Sequence, residues 1–459
     1  MSLLAEFLSI VQDWRDVFPQ QRTFVRGVRQ ALGSLVCLGR RCLTRIIWTN
    51  GGQNRSWSAE YFLHSRCQWE PQELFRPILK RALTHCPQRL VGVALDDTRL
   101  RKTGRCIPQA FYQRDPLSPP FHMNLLLGLR FLQASLLLPL HRNSAVGARA
   151  VPVRFEEVSR VKRPGRKATE EMKKQYRDAA KQHNLSRSFV EMGKQLRQEM
   201  DQAGGGDKIL VLAGDGSFCN RTCFRDIPER SVLLVRARKD AKLCLPATDG
   251  SRRFYGEEKF TPEEVRQDDS RDWKTTKIFY GGKRRKVRYK EVVGVYWQGG
   301  AGRLPLRLIV IAPTPYRKSK SKKLYYRQPA YLLTSDLHSS LKQLLQIYFD
   351  RWQIEVNHRE EKDTLGVGQA QLWNATSVPK QPVLAVASYS AVLLASLQAF
   401  GAERGKAYAE LPKWRRKARR PSCLDLITLL RKEMTQQPEL LAPFGFTITD
   451  PALVQAADA

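Results

Sequence analysis

Two short apolar runs, each followed by aspartate, constrain the fold more than any other feature of this chain. Residues 90–95 are β-prone and lead into Asp96 and Asp97, and residues 209–213 lead to Asp215. Runs of this length and composition are typical of buried strands. In α/β folds, functional side chains gather at the carboxyl ends of strands. We therefore expect the aspartates at the two strand ends to contribute to one site.

The segments around these runs predict a mixed α/β core. In chain order after the first strand, the predicted elements are strands at 107–114 and 124–138, a polar helix at 167–200, a strand at 209–213, a short helix near 219–226 and a strand at 231–237. Three strands, a helix, a strand, a helix and a strand can form one sheet with helices on both faces.

The charge balance indicates the kind of partner. The chain has 78 Lys and Arg against 44 Asp and Glu, a formal net charge of +34, which favours a polyanion such as nucleic acid or an anionic membrane. The first residues lack the pattern of a signal peptide, and the apolar stretch 125–140 is interrupted by Arg130 and Gln133. We therefore expect a nucleic-acid partner, no membrane and a cytoplasmic, nucleoid-associated protein. The nine scattered cysteines form no CxxC pair and fit free thiols in a reducing compartment.

Residues 348–362 predict an amphipathic helix with one chemically capable stripe. On an ideal helix of about 100° per residue, four side chains fall within a stripe about 60° wide. These four are Tyr348, Arg351, Glu355 and Lys362. The acidic residues predicted to point away from the stripe, toward solvent, are Asp350, Glu360 and Glu361. One carboxylate between two cations suits a site for metal ions and phosphates, although a salt-bridge ladder on a surface helix also explains the pattern.

The spacing of these four residues resembles the signature of a group of bacterial insertion-sequence transposases. Tyr348 is followed after two residues by Arg351, after three more by Glu355, and after six more by Lys362. The family consists of cut-and-paste DDE enzymes with a ribonuclease-H-like catalytic core. The resemblance covers roughly residues 89–400.

The resemblance implies an α/β fold in which a ribonuclease-H-like core is interrupted by a mostly β insertion domain. A helical domain precedes this core and a basic helical region follows it. The expected boundaries are 1–88 for the helical N-terminal DNA-binding domain, 89–238 for the first part of the core, 239–328 for the β-rich basic insertion, 329–400 for the second part of the core and 401–459 for the C-terminal region. The arginines of the first segment also fit a basic solvated face, and no helix-turn-helix can be identified there.

By resemblance, Asp97, Asp215 and Glu355 are the catalytic residues and bind two Mg²⁺ ions, for which Mn²⁺ can substitute. Each alone has a plainer explanation, such as a turn cap or an ion pair. Asp97 is preferred to Asp96 because alternation puts it on the face of Val91, and because the family places a Thr-like residue directly after its first aspartate.

The resemblance also implies DNA contacts. Tyr348, Arg351 and Lys362 would contact phosphates near the cut end, in keeping with their chemistry. The densest basic patches of the insertion, 283–286 and 317–323, include Lys283, Arg284 and Arg285, and they fit DNA binding or solvated loops. The family holds a flipped base with an aromatic ring of its insertion. The candidates here are Trp297, Tyr325, Tyr326 and Tyr331.

These expectations describe a transposase that binds the ends of its element as a homodimer. It would hydrolyse one strand, use the freed 3′-hydroxyl to form a hairpin, and join the element to double-stranded target DNA. One alternative is a related nuclease without strand transfer. Another is a DNA-binding protein, a repressor or domesticated relative, whose catalysis has lapsed.

Overall fold

The computed structural model describes residues 2–115, 118–119, 121–247, 252–317, 323–415, 418–448 and 453. Most of the predicted basic patch 317–323 and part of the basic run 413–420 lie outside these residues. The described chain is a mixed α/β protein built on one large mixed sheet.

The helices in the described part of the chain are α1 (Leu3–Gln12), α2 (Gln21–Val36), α3 (Leu43–Thr49), α4 (Trp57–Ser65), α5 (Phe75–Leu83), α6 (Glu170–Gln182), α7 (Leu185–Gln202), α8 (Arg221–Arg225), α9 (Pro262–Gln267), α10 (Leu341–Asp350), α11 (Gln353–Arg359), α12 (Ser377–Phe400) and α13 (Cys423–Gln436). The strands are β1 (Leu90–Arg101), β2 (Phe111–Arg114), β3 (Leu125–Leu138), β4 (Arg149–Glu157), β5 (Ile209–Gly214), β6 (Ser231–Arg236), β7 (Leu243–Pro246), β8 (Tyr255–Phe260), β9 (Lys274–Tyr280), β10 (Lys283–Val295), β11 (Leu306–Ile311), β12 (Pro315–Tyr316), β13 (Tyr325–Tyr326) and β14 (Ala330–Thr334).

The central sheet has the strand order β2-β3-β1-β5-β6-β14-β11-β10-β9, and β4 also pairs with β3. Strand β3 runs antiparallel to β1 and β4, whereas β5 runs parallel to both β1 and β6. Parallel pairing requires a crossover, which helices α6 and α7 supply between β4 and β5, and α8 supplies between β5 and β6. The buried runs 90–95 and 209–213 are therefore neighbouring strands of one sheet.

The segment 239–328 is rich in strands, but its strands β9, β10 and β11 do not form a sheet of their own. Strands β9, β10 and β11 continue the central sheet through β14, while β7 pairs with β8 and β12 with β13. The separate β insertion expected from the sequence therefore shares its main sheet with the core strands. Long-range pairing of this kind leaves no local signal, because each of these strands has the same alternation in either arrangement.

Helix α12 is the centre of the helical part of the molecule. It is buried along most of its length and contacts α1, α2, α5, α13 and strand β4. The N-terminal and C-terminal segments meet around it: the backbone N–H of Leu4 donates to Glu433 at 2.7 Å, and the Arg29 guanidinium donates to the Phe444 carbonyl at 2.9 Å. Helix α12 is also the one helix of the described residues that is long and apolar enough to cross a membrane, and 83% of its apolar window is buried in the protein.

The polar stretch 167–200 forms two helices rather than the one expected. Helix α6 ends at Gln182, and Asn184 begins α7 by accepting a hydrogen bond from the N–H of Arg187 at 3.1 Å. Asparagine is a favoured N-cap because its side chain satisfies a backbone donor of the first turn. The helix propensity of the flanking residues concealed this break.

Helices α10 and α11 pack closely on one face of β1, which carries small residues. A Cβ atom added to Gly92 would lie 2.9 Å from a side-chain carbon of Ile347. Two residues further along the strand, Ala94 shares a buried cluster with Ile354. The small side chains let the helices lie against the strand, and this contact sets the position of everything that the helices carry.

We expect Gly92→Val to lower the free energy of unfolding by about 1–3 kcal/mol, because the added methyl groups overpack the contact with Ile347. Urea unfolding of the full chain measures this. The matched control is Gly165→Val, since a Cβ atom there meets nothing within 4 Å and the change should stay within about 0.5 kcal/mol. Equal stability of the two variants would show that α10 does not pack closely on β1.

Candidate active site

The carboxyl ends of β1 and β5 bring two aspartates to the same edge of the sheet. In the parallel register, Ala94 lies opposite Ala213. Asp96 and Asp215 each come two residues after this pair, so they lie at the same level on adjacent strands. Alternation also gives them the same face as the alanines. The sheet therefore presents two neighbouring carboxylates where α/β folds place functional groups.

The face that carries Asp96 is the one covered by α10 and α11. Gly92 and Ala94 lie beneath Ile347 and Ile354 on that face, and Asp96 continues the same alternation. Glu355 directly follows Ile354 in α11. The packing thus directs Asp96, together with Asp215, toward the helix that carries the glutamate.

Asp97 lies on the other face and has different partners. The Nε atom of Arg130 donates to its carboxylate at 2.8 Å, and the Arg99 guanidinium lies 3.8 Å away. The sequence favoured Asp97 over Asp96 because it shares a face with Val91 and directly precedes a threonine. However, α10 and α11 pack on the opposite face, over Gly92 and Ala94. The geometry therefore favours Asp96 as the partner of Asp215. The charge of Asp97 still acts on the buried His358 of α11. The alternating small residues Gly92 and Ala94 are the sequence signal that could have identified this face.

The electrostatics of Asp96 and Glu355 link four side chains. Burial raises the pKa of Asp96 to about 7, the charge of Asp215 contributes to the rise, and the guanidinium of Arg351 opposes it. Burial also raises the pKa of Glu355, with Arg351 lowering it and Asp215 raising it. The Nη2 atom of Arg351 is 3.6 Å from Oε1 of Glu355. Three carboxylates and one guanidinium therefore influence one another here.

Asp215 also holds the turn that follows β5. Its carboxylate accepts hydrogen bonds from the backbone N–H of Ser217 at 2.9 Å and from the Ser217 hydroxyl at 3.2 Å. Asp215 therefore does cap this turn, and the two hydrogen bonds hold its carboxylate at the edge of the sheet. The two roles are compatible because a carboxylate has about four lone-pair positions.

The stretch 348–362 is not the single ideal helix expected from the sequence. Helix α10 ends at Asp350. After it, the backbone N–H groups of Ile354 and Glu355 donate to the carbonyls of Arg351 and Trp352, three residues earlier, as in a tighter 3-10 turn. After α11, a π-helical turn spans Glu360–Thr364. Tightening and widening change the rotation per residue, so the angles of a regular helix do not apply.

The other three signature residues are linked to the site by their charges or by the cleft beside it. Burial raises the pKa of Tyr348, while the nearby charges of Arg236 and Arg351 lower it. Burial lowers the pKa of Lys362, although the charge of Asp96 is among those that raise it. Tyr348 and Arg351 line the same cleft, and the charge of Lys362, in the π-helical turn, interacts with that of Asp96.

Two acids that were expected to face solvent are buried, and that expectation was wrong. Asp350 is buried beside His141, whose Nδ1 atom lies 3.9 Å from its carboxylate, and burial raises the pKa of Asp350 to about 8. Glu361 is also buried, and burial raises its pKa to about 8. The interruption at Arg351 and the π-helical turn explain why regular helical spacing misjudged both side chains.

A basic cleft of about 870 Å³ opens beside Tyr348 and Arg351. The further arginines that line it are Arg236, Arg327 and Arg420. Asp350 also lines it, but with a pKa of about 8 this carboxyl is mostly protonated at neutral pH. Sequence reasoning missed these three arginines because they come from β6, the segment before β14 and the C-terminal region, and only the fold brings them together. The cleft can accept a polyanion next to the carboxylates.

The predicted basic residues of the β9–β10 hairpin lie close to this cleft. Lys283 and Arg284 are exposed and line a second cavity of about 1270 Å³, which shares Arg420 with the first. Arg284 donates to the His141 carbonyl at 3.2 Å. Arg285 differs, because its guanidinium lies over the ring of Tyr280 at 5.2 Å. The first two residues are therefore available to a ligand, while Arg285 contributes to packing.

The aromatic candidates differ in accessibility. Trp297 is partly buried, with its ring edge-on to Phe224 at 6.1 Å. Tyr331 is buried, and its hydroxyl donates to Glu263. Tyr325 and Tyr326 are exposed on the small β12–β13 sheet. The ring of Tyr325 lies 5.7 Å from that of Tyr316. Tyr326, which is 62% exposed, is therefore the most accessible of the four rings, whereas Trp297 would have to leave Phe224 to stack on a base.

The carboxylate oxygens of the site are suitable ligands for a hard divalent cation, but the side chains do not form a complete ligand set. Carboxylate oxygens are the ligands that Mg²⁺ prefers, and the repulsion between Asp96 and Asp215 is the kind that a bound cation relieves. Among the residues that the structure describes, no group of three or more His, Cys, Asp or Glu side chains could hold a metal ion. In this structure Glu355 forms an ion pair with Arg351 and does not join the two aspartates in a metal site.

No protein-family model matches the chain, and no curated protein is similar to it.

The buried carboxyl of Asp350 yields a test of the site's electrostatics. It keeps its proton up to about pH 8 in the folded protein, against an ordinary pKa of 3.8. Between these values the unfolded chain binds fewer protons, so this residue's contribution to stability falls as the pH rises. Asp350→Asn cannot ionise, and its amide oxygen can still accept the 3.0 Å hydrogen bond from Gln346.

We therefore expect Asp350→Asn to gain stability relative to the unsubstituted protein by about 1 kcal/mol per pH unit between pH 5 and 7. Urea unfolding at pH 5, 6 and 7 measures the difference. The neighbouring His141 does not titrate in this window, because burial lowers its pKa to about 4. A difference that stays constant with pH would show that Asp350 is ionised in the folded protein.

Proposed function

We propose that this protein is a DNA transposase that cuts the ends of a mobile element and joins them to target DNA. The observation that carries the proposal is the placement of Asp96 and Asp215 at adjacent strand ends, on the face that α11 with its Glu355 covers, beside the basic cleft. The Tyr-Arg-Glu-Lys spacing also supports it, because these residues belong to α10, α11 and the turns that adjoin α11. We assign the first catalytic carboxylate to Asp96 rather than Asp97.

The sheet supports a ribonuclease-H-like catalytic core. Strands β1, β3 and β4 are antiparallel neighbours, and β5 and β6 follow in parallel with β1 after the helical crossovers. Without the short edge strand β2, and with α6 and α7 taken as one crossover, the chain order matches the three strands, helix, strand, helix and strand of such a core. Strand β4 is not among the strands predicted from the sequence, where 142–165 reads as a loop. The extra strands β9–β11 and β14 extend this sheet on the side of β6.

The carboxylates of Asp96, Asp215 and Glu355 would hold two Mg²⁺ ions, or Mn²⁺ in their place. When bound, such ions activate the attacking oxygen and stabilise charge on the phosphate. Arg351 then has to release Glu355 to the ions and turn to a phosphate, for which its guanidinium offers two parallel donors. Tyr348 can donate to the same strand, and Lys362 adds a positive charge near Asp96.

The proposal specifies the partner as double-stranded DNA, both the ends of the element and the target, with two protein copies acting together in the cytoplasm on the nucleoid. The arginines of the cleft and the exposed Lys283 and Arg284 would contact phosphates. Affinity should therefore fall steeply with salt, because each neutralised phosphate releases counterions.

A second candidate is a DNA-binding protein whose catalysis has lapsed. The observation that favours it is the Arg351–Glu355 ion pair, together with the lack of a metal-holding group of three side chains in the described residues. Such a protein would bind DNA through the same cleft and cut nothing. A nuclease without strand transfer is the remaining alternative.

The test is a cleavage assay on a supercoiled plasmid that carries the genomic segment around the protein's own gene. With Mg²⁺ we expect nicks or hairpins at fixed positions flanking the gene, and none with EDTA. We expect at least about a 100-fold lower cleavage rate in each of three variants, Asp96→Asn, Asp215→Asn and Glu355→Gln. Each removes a negatively charged ligand of the metal ions that would act on the phosphate. Cut positions are mapped by primer extension.

Asp97→Asn distinguishes the two aspartates, because Asp97 pairs with Arg130 on the other face. We expect this variant to keep most of the cleavage activity. Loss of cleavage in Asp97→Asn with activity retained in Asp96→Asn would reverse the assignment. Binding without cleavage by the unsubstituted protein would support the lapsed enzyme, and cleavage that never joins an end to target DNA would support the nuclease.

A further inference from the structure

A hairpin at the edge of the central sheet exposes large apolar side chains. The hairpin arm comprises β2, residues 125–128 of β3 and the described residues between them. Its exposed apolar side chains are Phe121 (90% exposed), Met123 (62%), Tyr112 (61%) and Leu125 (57%). Exposed apolar groups that cluster in this way usually mark a binding surface.

Positive charge surrounds these side chains. Arg105 and Arg114 are exposed within or next to the hairpin arm, and Asp115 is the one acidic residue among its described residues. The neighbouring loop 159–167 carries five basic residues and no acidic one. This loop contacts the hairpin arm directly, because the guanidinium of Arg160 lies over the ring of Phe111 at 4.7 Å. The surface therefore combines apolar groups with a positive surround.

The hairpin arm extends from the end of the sheet that carries the carboxylates. Asp96 lies opposite Gln133 of β3, and β1 continues beyond Asp96 to pair Arg101 with Gly128. From Gln133 to Leu125 there are eight residues, which correspond to about 27 Å along a strand. The exposed apolar side chains thus lie well past the site, in the direction in which β1 leaves it.

Double-stranded DNA has the chemistry that this surface fits. Proteins that contact the minor groove commonly insert Phe, Leu or Met side chains against base steps, while arginines neutralise the neighbouring phosphates. A second copy of the chain fits less well, because two arms with the same positive surround would repel each other. At about 3.4 Å per base pair, 27 Å corresponds to roughly eight base pairs.

We propose that the hairpin arm binds double-stranded DNA about eight base pairs from the cleaved phosphate, with Phe121 and Met123 inserted into the groove and Arg105 and Arg114 on the phosphates. Only the distance from the cut rests on the proposed function; the contact with DNA does not. An inserted wedge unstacks a base step, so the bound DNA is bent where the arm contacts it.

Binding is measured with the full-length protein in EDTA, by fluorescence anisotropy of a labelled 30-base-pair duplex of random sequence. We expect the double variant Phe121→Ser/Met123→Ser to lose about 10-fold in affinity, in line with the loss of stacking contacts. Energy transfer between dyes at the two duplex ends should report a bend with the unsubstituted protein and a straighter duplex with the variant. The control is Met172→Ser, an exposed apolar residue of α6, which should bind and bend normally.

A second variant, Arg105→Gln/Arg114→Gln, tests the phosphate contacts. We expect the slope of log affinity against log salt to become shallower by about 2, because two fewer counterions are released. Wild-type affinity, bend and slope in both double variants would overturn the proposal. So would a dimer that Phe121→Ser/Met123→Ser converts to a monomer while DNA affinity is unchanged, because the arm would then join two copies.

The cleavage assay separates this inference from the proposed function. Arm-dependent binding without any Mg²⁺-dependent cleavage rejects the enzyme and keeps the DNA contact. If the ends are cleaved normally and neither double variant changes DNA binding, the enzymatic function is supported and the DNA contact of the hairpin arm is rejected. Thermal unfolding of each variant, monitored by circular dichroism, ensures that a loss of binding reflects the surface rather than the fold.

Discussion

The close contact of helices α10 and α11 with the small-residue face of β1 is the constraint on which the site depends. Gly92 and Ala94 leave room for Ile347 and Ile354, so the two helices pack in direct contact with the strand. This brings Glu355 down to the level of the strand-end carboxylates. A larger residue at either strand position would push the helices outward, and the glutamate would move with them.

The same close packing explains the unusual electrostatics. Carboxylates that are pressed between a sheet and a helix lose water, and the loss of hydration raises the pKa of Asp96 and Glu355. Arg351 offsets part of this cost from within the site. The packing therefore disfavours the negative charge of these carboxylates, and it lowers the stability of the fold at this edge of the sheet.

Sequence reasoning located the elements of the site but not their orientation. The strands β1 and β5, with the aspartates at their ends, and strand β6 follow from local apolar runs, because buried parallel strands carry a strong compositional signal. Alternation separated Asp96 from Asp97, but it ranked Asp97 first because the face of β1 that meets the helices is set by tertiary packing against Gly92 and Ala94. The helix break at Arg351 contains no proline or glycine, so the sequence gives no local signal for it. Burial of Asp350 could not be foreseen, because it depends on contacts with His141, more than 200 residues away in sequence.

The packing around α12 has a consequence for how the chain can be made. Helix α1 buries its apolar side chains against α12, which begins about 365 residues later in the sequence. At roughly 5–20 residues per second, a ribosome takes on the order of 20–70 s to synthesise the intervening chain. During that time the first helix lacks the helix that buries most of its apolar side chains. The opening segment therefore cannot complete its native core at the ribosome until α12, in the last fifth of the chain, has been made.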